Sequence, residues 1–304
     1  MLERVILFLN GTRETEETES FFQILCQEKI RYFYWNAGGS QFEKESEWQQ
    51  IKEMIVKEMG SKAGTILISD NRDVCQSALS EKYPVIVYLN GSNEDNGNSF
   101  QGVRYAIESL KGIDGRYLER VCRRYAGLPW EILQTGRCIV RETTVEDVDA
   151  FYKIYEEPSI TEYMEGLFED REEEIQYTKD YRKSVYEFYE YGLWTVVEKN
   201  DMCVIGRAGI SWREETEAVE LGFVIAKPYQ RKGYAFEVCS AVLAYAYEEL
   251  DIRKVSAYVD KRNQISKALC KKLGFGFQGE IVLKNGFGKE EKVESWIREI
   301  AGQI

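Results

Sequence analysis

Short apolar runs alternate with amphipathic segments between Arg4 and Tyr125. The apolar runs are rich in β-branched and aromatic residues and predict strands over Arg4–Leu9, Arg31–Trp35, Gly64–Ser69 and Pro84–Leu89. The amphipathic segments predict helices over Glu17–Glu28, Glu45–Met59, Arg72–Ser80 and Tyr117–Tyr125. Buried strands separated by helices indicate a parallel sheet, so we predict an α/β class with an N-terminal Rossmann-like parallel domain.

The pattern changes after Gly127–Trp130, which we take as the join between two domains. Beyond it, strands are predicted over Cys138–Arg141, Leu193–Glu198, Cys203–Ser211, Val219–Ala226, Lys254–Val259, Gly279–Leu283 and Val293–Ile297. Helices are predicted from a cap at Thr143 or Thr144 to about Tyr155, over about Arg171–Tyr189, and over Phe236–Leu250 and Gln264–Leu273. Gly274 follows the last helix as a C-terminal glycine cap.

One segment of this second part predicts a phosphate site. The apolar strand that begins at Glu220 runs into Gln230–Ala235, a Gln-x-x-Gly-x-Ala loop that leads directly into a helix. The first N–H groups of a helix have no partner within the helix, and the positive end of its dipole faces the loop. Gly233 allows the backbone to approach an anion closely, and Arg231 and Lys232 add positive charge. For these two basic residues, a solvated turn is the alternative.

Length and charge narrow the classes of function. The chain has 304 residues, which favours two domains, and its net charge of −12 argues against nucleic acid as a partner. An acidic balance suits a cationic small molecule or a basic protein, or it only keeps the protein soluble. No apolar run approaches the length of a membrane span, and the run Val5–Leu9 indicates a buried strand instead of a signal peptide. We therefore expect a cytoplasmic protein without a membrane partner.

The chain contains no His and has seven Cys without a C-x-x-C pair. This composition excludes Ser-His-Asp and Cys-His nucleophile pairs as well as His-ligated metals, and a disulfide framework or zinc site is not expected. We therefore expect no metal cofactor. Acid–base chemistry falls to Glu, Asp, Tyr, Lys, Cys or water.

Several spaced motifs, in order, resemble those of the GNAT superfamily of N-acetyltransferases. They are Arg141-x-x-x-x-x-Asp147, the hairpin around Val204-Ile205-Gly206, Glu220-Leu221-Gly222-Phe223, the Gln230–Ala235 loop, Asn263-x-x-Ser266 and Leu273-Gly274-Phe275. The stretch from about Arg137 to Ile300 is most similar to the ribosomal-protein N-acetyltransferase (Rim) type. The resemblance implies a GNAT mixed-sheet α+β domain over residues 137–304, with acetyl-CoA as cosubstrate.

The resemblance also implies roles for individual residues. The strand would part from its neighbour so that Phe223, Val224 and Ile225 pair with the pantetheine amides. The pyrophosphate would be held at Gln230 and by the N–H groups of Arg231, Lys232, Gly233, Tyr234 and Ala235. Asn263 would hydrogen-bond the pantetheine arm, with Ser266 beside it. An amine would then attack the thioester directly, without a covalent enzyme intermediate.

The proton transfers are assigned to Glu220 and, less directly, to Ser266. Glu220 is the first candidate for the general base, because Rim-type enzymes often have an acidic residue at this strand position; Glu217 is the reserve. The alternative is that Glu220 is a surface residue of an edge strand. Many family members place a Tyr where this chain has Cys270, so Ser266 or water is left as the proton donor to the departing thiolate. Cys270 itself is expected to be a small buried residue.

The acceptor is a primary amine of undetermined kind: a protein N-terminus, a lysine or a small amine. The aromatic segment Tyr177–Tyr191, together with Glu162 and Glu165, would form a pocket for a cationic amine or would only pack in the core. A homodimer formed through the last strand is left open. The alternative function is an acyl-CoA-binding regulatory protein with little turnover, whose first domain recruits a partner.

The first domain, residues 1–130, resembles the haloacid-dehalogenase-like phosphatases in part. Leu7–Thr12 is similar to their Asp-x-Asp-Gly-Thr motif, but Phe8 takes the nucleophile position and Asn10 the acid/base position. Asp70 would stand at the magnesium-site motif. Phosphoryl transfer of this kind needs a carboxylate nucleophile, which Phe8 is not. We therefore predict a degenerate, non-catalytic domain; an unrelated flavodoxin-like or Rossmann-like domain is the alternative.

Overall fold

The computed structural model describes residues 2–9, 15–36, 49–50, 52–53, 64–89, 100–284 and 290–300. The chain divides into two compact units, Met1–Leu128 and Pro129–Ile304. The predicted helix Glu45–Met59 lies largely outside the described residues, and Asn10 lies entirely outside them.

The first unit contains a parallel sheet, as predicted. Its strands are β1 (Arg4–Leu9), β2 (Arg31–Asn36), β3 (Thr65–Ser69), β4 (Val85–Tyr88) and β5 (Tyr105–Ile107). Its helices are α1 (Glu16–Gln27), α2 (Arg72–Ser80) and α3 (Gly115–Tyr125). All described strand pairs are parallel, in the order β2-β1-β3-β4-β5.

Side chains of β1 alternate between two hydrophobic layers. Val5 and Leu7 pack with Phe21 of α1 and Leu118 of α3, while Phe8 on the opposite face packs with α2. The sheet therefore has helices on both faces, as the runs of wholly buried strand residues predict. Its strand order is that of flavodoxin-like open sheets. This order favours the alternative that the sequence left open, and the haloacid-dehalogenase resemblance stays a prediction.

The second unit is built on a mixed sheet. Its strands are β6 (Glu131–Gln134), β7 (Cys138–Arg141), β8 (Leu193–Glu198), β9 (Val204–Arg213), β10 (Ala218–Ile225), β11 (Lys254–Asp260), β12 (Gly276–Lys284) and β13 (Glu290–Glu299). Their order in the described sheet is β12-β13-β11-β10-β9-β8-β7-β6. The β10–β11 pair is parallel, and the other pairs are antiparallel. This is the mixed α+β arrangement that the sequence predicted.

Helices cover both faces of this sheet. They are α4 (Val148–Tyr155), α5 (Pro158–Thr161), α6 (Arg171–Tyr181), α7 (Glu187–Tyr189), α8 (Tyr234–Glu248) and α9 (Gln264–Lys272). Leu221 and Ile225 of β10 pack with α8, whereas Val224 packs on the other face with Phe151 and Ile154 of α4. Residues of β10 with even numbers therefore face α4. None of the helices in the described ranges combines the length and apolar character needed to cross a bilayer.

The segment 171–189 is not the single helix that the sequence predicted. A π-helical turn, Arg182–Tyr186, separates α6 from α7. A π turn brings residues five apart onto one side, so both Tyr181 and Tyr186 reach Leu193. Tyr181 Oη accepts from the Leu193 N–H at 2.8 Å, and Tyr186 Oη donates to the Leu193 carbonyl at 2.6 Å. The tertiary contacts to β8 thus fix the irregular turn.

Candidate functional site

Strands β10 and β11 part near the middle of the mixed sheet. Their parallel ladder consists of the single pair Glu220–Ser256, although β10 continues to Ile225 and β11 to Asp260. On its other side, β10 stays paired with β9 along its whole length. The backbone of β10 beyond Glu220 is therefore open toward β11, at the place where the GNAT resemblance implies that the strands part.

The direction of the backbone groups identifies which residues face this gap. The Ala226 N–H donates to the Ile205 carbonyl of β9 at 2.7 Å. Because backbone groups alternate in direction along a strand, those of Phe223 and Ile225 point the other way, toward β11. Gln230 Nε2 closes the end of the gap by donating to the Ile225 carbonyl at 2.8 Å. Phe223 is thus the strand residue with both amide groups available there.

The loop after β10 presents a series of free N–H groups. Arg231 and Gly233 both have left-handed backbones, with φ of +59° and +86°, and α8 begins directly after Gly233. Within the described part of the chain, no acceptor binds the N–H groups of Arg231, Lys232, Gly233, Tyr234 or Ala235. Left-handed residues that alternate in a turn direct such groups into an anion-binding concavity, which the helix dipole reinforces.

Arg137 supports this loop from the adjoining end of β7, a role that the sequence analysis missed. Its Nη1 donates to the Lys232 carbonyl at 3.0 Å, its Nε donates to Glu237 at 2.6 Å, and its guanidinium lies over the Tyr234 ring at 4.1 Å. The Arg137 Nη2 atom is the nearest one to the position that a Gly233 Cβ would take, at 3.4 Å. These partners are a hundred residues apart in the chain, so no local pattern could have revealed them.

Asn263 and Ser266 lie at the start of α9. Asn263 caps this helix, since its Oδ1 accepts from the Ser266 N–H at 3.0 Å. The Asn263 side-chain NH₂ and the Ser266 hydroxyl have no hydrogen-bond partner among the described residues. The capping oxygen is therefore occupied, and both residues keep a donor for a ligand. Their predicted roles rest on those remaining groups.

Glu220 lies on an interior strand and is ion-paired, so the alternative of an edge-strand surface residue is wrong. Its side chain is 17% exposed, and Arg213 Nε donates to its carboxylate at 2.6 Å. Burial raises the pKa of Glu220 above its ordinary value, the charges of Glu165 and Glu215 add to this, and Arg213 opposes it. Arg213 is a partner that the sequence analysis did not identify. The reserve candidate, Glu217, is exposed in the turn before β10.

Residues 137–276 match the family model described as the acetyltransferase (GNAT) domain. The second unit is a GNAT domain. The match to this family is evidence for acyl transfer to an amine. The parted strands, the loop and α8 lie within the matched residues, as do Glu220 and Asn263.

Several curated proteins and solved structures similar to this chain bear acetyltransferase names. The uncharacterized N-acetyltransferase YoaA of Bacillus subtilis is 27% identical over 173 residues, which cover 55% of this chain and 97% of the relative. YnaD of the same organism, also named an uncharacterized N-acetyltransferase, is 26% identical over 48% of this chain and 84% of its own length. A structure titled as a putative ribosomal-protein-serine acetyltransferase from Vibrio cholerae has 17% identity and a TM-score of 0.49, covering 56% and 98% of the two chains.

A small open space lies beside Glu220 on the α4 side of the GNAT domain. Gly222 stands between Glu220 and Val224 on that face, and a Cβ built there would meet only Leu193 Cδ1, at 3.4 Å. The directly opposite residue, Gly209, is covered by the Gly192 carbonyl. The surface over Gly222 is thus the point where a ligand can approach the backbone next to the carboxylate.

Cys270 is a core residue of the GNAT domain. It is fully buried in the main hydrophobic cluster, and burial raises the pKa of its thiol to about 11. Its thiol therefore stays protonated and packed. Among the described residues, no three Cys, Asp or Glu side chains are grouped in the way that a metal site requires.

The aromatic residues of 177–191 divide between the surface and the core. Tyr186 is buried and Phe188 is 76% exposed. The rings of Tyr177 and Tyr181 are in contact, as are those of Tyr181 and Tyr186. The phenols of Tyr181 and Tyr186 hydrogen-bond to Leu193, and this arrangement agrees with the alternative that the segment only packs in the core. The same cluster surrounds a cation of the protein itself, Arg207, and this placement disfavours a cationic substrate group in its depth.

Proposed function

We propose that this protein is an N-acetyltransferase that transfers the acetyl group of acetyl-CoA directly to a primary amine. One observation supports this most strongly: β10 parts from β11 immediately before a loop of free N–H groups at the start of α8. A parted strand offers amide partners to an extended pantetheine arm. The loop offers a concavity for the pyrophosphate. The parted strand forms the first end of the segment Phe223–Ala235, and the loop forms its second end.

The residues present suit acetyl-CoA. Phe223 and Ile225, flanking Val224, would pair with the pantetheine amides, and the Asn263 amide would donate to the same arm. The N–H groups of Arg231–Ala235 would hold the pyrophosphate, with the charges of Arg231 and Lys232 nearby. Gln230 would act by fixing the loop to β10, because its side-chain amide is bound to Ile225. Arg137 would hold the loop in shape through Lys232 and Glu237.

Glu220 is the proposed general base. The ammonium form of the acceptor must lose a proton before its nitrogen can attack the thioester carbonyl, and a carboxylate accepts this proton directly or through water. The pairing with Arg213 keeps Glu220 ionised, while its burial raises the pKa toward the range that a base needs. The departing thiolate takes a proton from the Ser266 hydroxyl or from water. The amine nitrogen thus gains the acetyl group, and CoA leaves as the thiol.

A panel of amines tests this proposal. Peptides with free N-termini, lysine derivatives, amino acids and polyamines are assayed for CoA release from acetyl-CoA, with acetyl-CoA affinity measured in parallel by calorimetry. We expect acetyl-CoA binding and turnover with at least one class of primary amine. Binding without turnover on any amine would instead favour an acyl-CoA-binding regulatory protein. Absence of binding would contradict both functions.

A further inference from the structure

Arg207 of the GNAT domain is a buried cation that forms no ion pair with the part of the chain that the structure describes. It lies on β9 opposite Val224, on the sheet face that packs against α4. Only 8% of the residue is exposed, its Nε has no hydrogen-bond acceptor, and it forms no ion pair with any described carboxylate. Burying a charge without a counter-charge is costly. An arginine that the fold leaves in this state is therefore a candidate for binding an anion that comes from outside.

Aromatic residues surround Arg207 but do not neutralise it. The guanidinium lies over the Phe151 ring at 4.8 Å, and four phenols interact with it, those of Tyr155, Tyr177, Tyr181 and Tyr186. Burial is the largest influence on the pKa of each of the four, and it raises them all. These phenols are therefore neutral at neutral pH. They provide ring faces and dipoles, and the Tyr155 hydroxyl accepts a hydrogen bond from Arg207. The buried carboxylate of Glu174 acts on Tyr155 and Tyr177, but it forms no ion pair with Arg207, so no described carboxylate pairs directly with this cation.

A cluster of aromatic rings extends from the surface to the surroundings of Arg207, and the sheet links Arg207 to the proposed reaction centre. Phe168 and Tyr177 are 38% and 44% exposed, and their rings begin a continuous series of contacts that leads through Tyr181 to buried Tyr186. Along the sheet, Val224 opposite Arg207 is two residues from Gly222, which is about 7 Å in an extended strand. Arg207 thus lies close to the open surface over Gly222, on the same face as Glu220.

We propose that Arg207 binds a carboxylate of the acceptor, so that the preferred substrates are small amines of the amino-acid type. This inference rests on the proposed acetyl transfer and specifies its acceptor. A guanidinium and a carboxylate form two parallel charge-assisted hydrogen bonds. A single charge on the acceptor matches the single cation, whereas a phosphate monoester brings nearly two negative charges. The acceptor amine would then lie toward Gly222 and Glu220, and its carboxylate toward the tyrosines.

The test compares acceptors that carry a carboxylate with acceptors that lack it. Full-length protein is assayed with acetyl-CoA and a set of amino acids, with the corresponding amino-acid amides, and with phosphoethanolamine as the phosphate-bearing amine. We expect kcat/KM to be higher for the acids than for their amides by roughly tenfold or more, as the loss of one partner of a charge-assisted hydrogen bond implies. Equal values for acid and amide, or a preference for phosphoethanolamine, would overturn the proposal.

Substitutions connect the preference to this side chain. In Arg207→Gln the acid-to-amide ratio should fall to about one, and Arg207→Lys should retain part of it because the charge remains. Acetyl-CoA affinity should be unchanged in both. Arg171→Gln is the matched control, since Arg171 is an exposed arginine of the same unit. An acid-to-amide ratio that survives in Arg207→Gln would exclude Arg207 from this role.

Thermal unfolding gives a readout that does not depend on turnover. If Arg207 is a binding site for an anion and has no counter-charge in the free protein, Arg207→Gln should leave the melting temperature of the free protein unchanged or raise it. Amino acids added with CoA should raise the melting temperature of wild type more than their amides do, and should lose this advantage in Arg207→Gln. A large loss of stability in Arg207→Gln with no such ligand effect in wild type would show a structural role only. If acetyl transfer fails but the amino acids still stabilise wild type, the proposed function is contradicted, whereas the binding of a carboxylate by Arg207 is not.

Discussion

Asp147 shows how a motif residue can serve the fold instead of the chemistry. Its carboxylate accepts two hydrogen bonds from Arg141, each at 2.7 Å, one from the Thr144 N–H at 2.8 Å and one from Thr195 Oγ1 at 3.0 Å. These bonds join the end of β7, the start of the following helix and β8. The spacing Arg141-x-x-x-x-x-Asp147 in the sequence therefore corresponds to a buried ion pair between these two residues.

We predict that Asp147→Asn destabilises the GNAT domain by about 2–4 kcal/mol, because it breaks a largely buried pair and leaves Arg141 without its partner. Urea unfolding of the variant and wild type measures this difference. Asp149→Asn is the control, because Asp149 and its partner Arg171 are both exposed, and no measurable loss is expected there. Equal losses in the two variants would contradict the account.

The same residue predicts a pH dependence. Burial alone would raise the pKa of Asp147, but the hydrogen bonds and charge of Arg141, with Thr144 and Thr195, lower it overall. A carboxyl whose pKa is lowered by folding stabilises the folded state above the unfolded pKa of about 3.9, and this contribution is lost as the pH falls through the folded value. The stability difference between wild type and Asp147→Asn should therefore shrink below about pH 4.

At the scale of elements, the β10–loop–α8 unit depends on the backbone conformation at Gly233. Its φ of +86° lies in the left-handed region, where a side chain is strained. We predict that Gly233→Ala costs about 1–2 kcal/mol of stability and weakens acetyl-CoA binding, because the new Cβ would approach Arg137. Calorimetric titration with acetyl-CoA measures the affinity.

Gly166→Ala is the control for this substitution. Gly166 has no heavy atom near the position of an added Cβ, and its φ is outside the left-handed region. Acetyl-CoA affinity in this variant should equal that of wild type. Unimpaired binding in Gly233→Ala would mean that the loop does not hold the pyrophosphate.

Local sequence patterns predicted those helices, strands and turns that are determined by residues within the element itself. α2 was predicted with the bounds that it has, and the turn at Gly274 was predicted from its glycine. β5 and β6 were missed, because β5 has only three residues and β6 has two apolar residues between polar ends. The π turn before Glu187 was also missed, because it is fixed by the hydrogen bonds of two phenols to Leu193 of β8, and helical periodicity does not reveal such contacts.

The candidate site divides in the same way. The loop Gln230–Ala235 and Glu220 follow from motifs within one stretch of sequence. The roles of three arginines depend on neighbours from other elements. Arg213 pairs with a carboxylate across a hairpin, Arg137 donates to a carbonyl of the phosphate loop, and Arg207 lies among a group of tyrosines. Only the fold brings such partners together, so their roles could not be predicted from the sequence.

At the scale of the whole molecule, the first unit is expected to be without phosphatase activity. Phe8, which the haloacid-dehalogenase resemblance would place at the nucleophile position, is fully buried and packs with α2. We predict no Mg²⁺-dependent hydrolysis of para-nitrophenyl phosphate above the level of a no-enzyme blank. Robust turnover that is lost in Asp70→Ala would contradict this prediction and restore a catalytic role to the unit.

The central claim is that the parted strand brings an acetyl donor and the Glu220 carboxylate together. The most direct test is the comparison of kcat and acetyl-CoA affinity between wild type and Glu220→Gln across pH. We predict that kcat falls by about 10²–10⁴-fold with nearly unchanged acetyl-CoA affinity. Because burial raises the pKa of Glu220, the acidic limb of the wild-type profile is expected above the ordinary pKa of a glutamate, and it should disappear in Glu220→Gln. Equal kcat for the two proteins would contradict the claim.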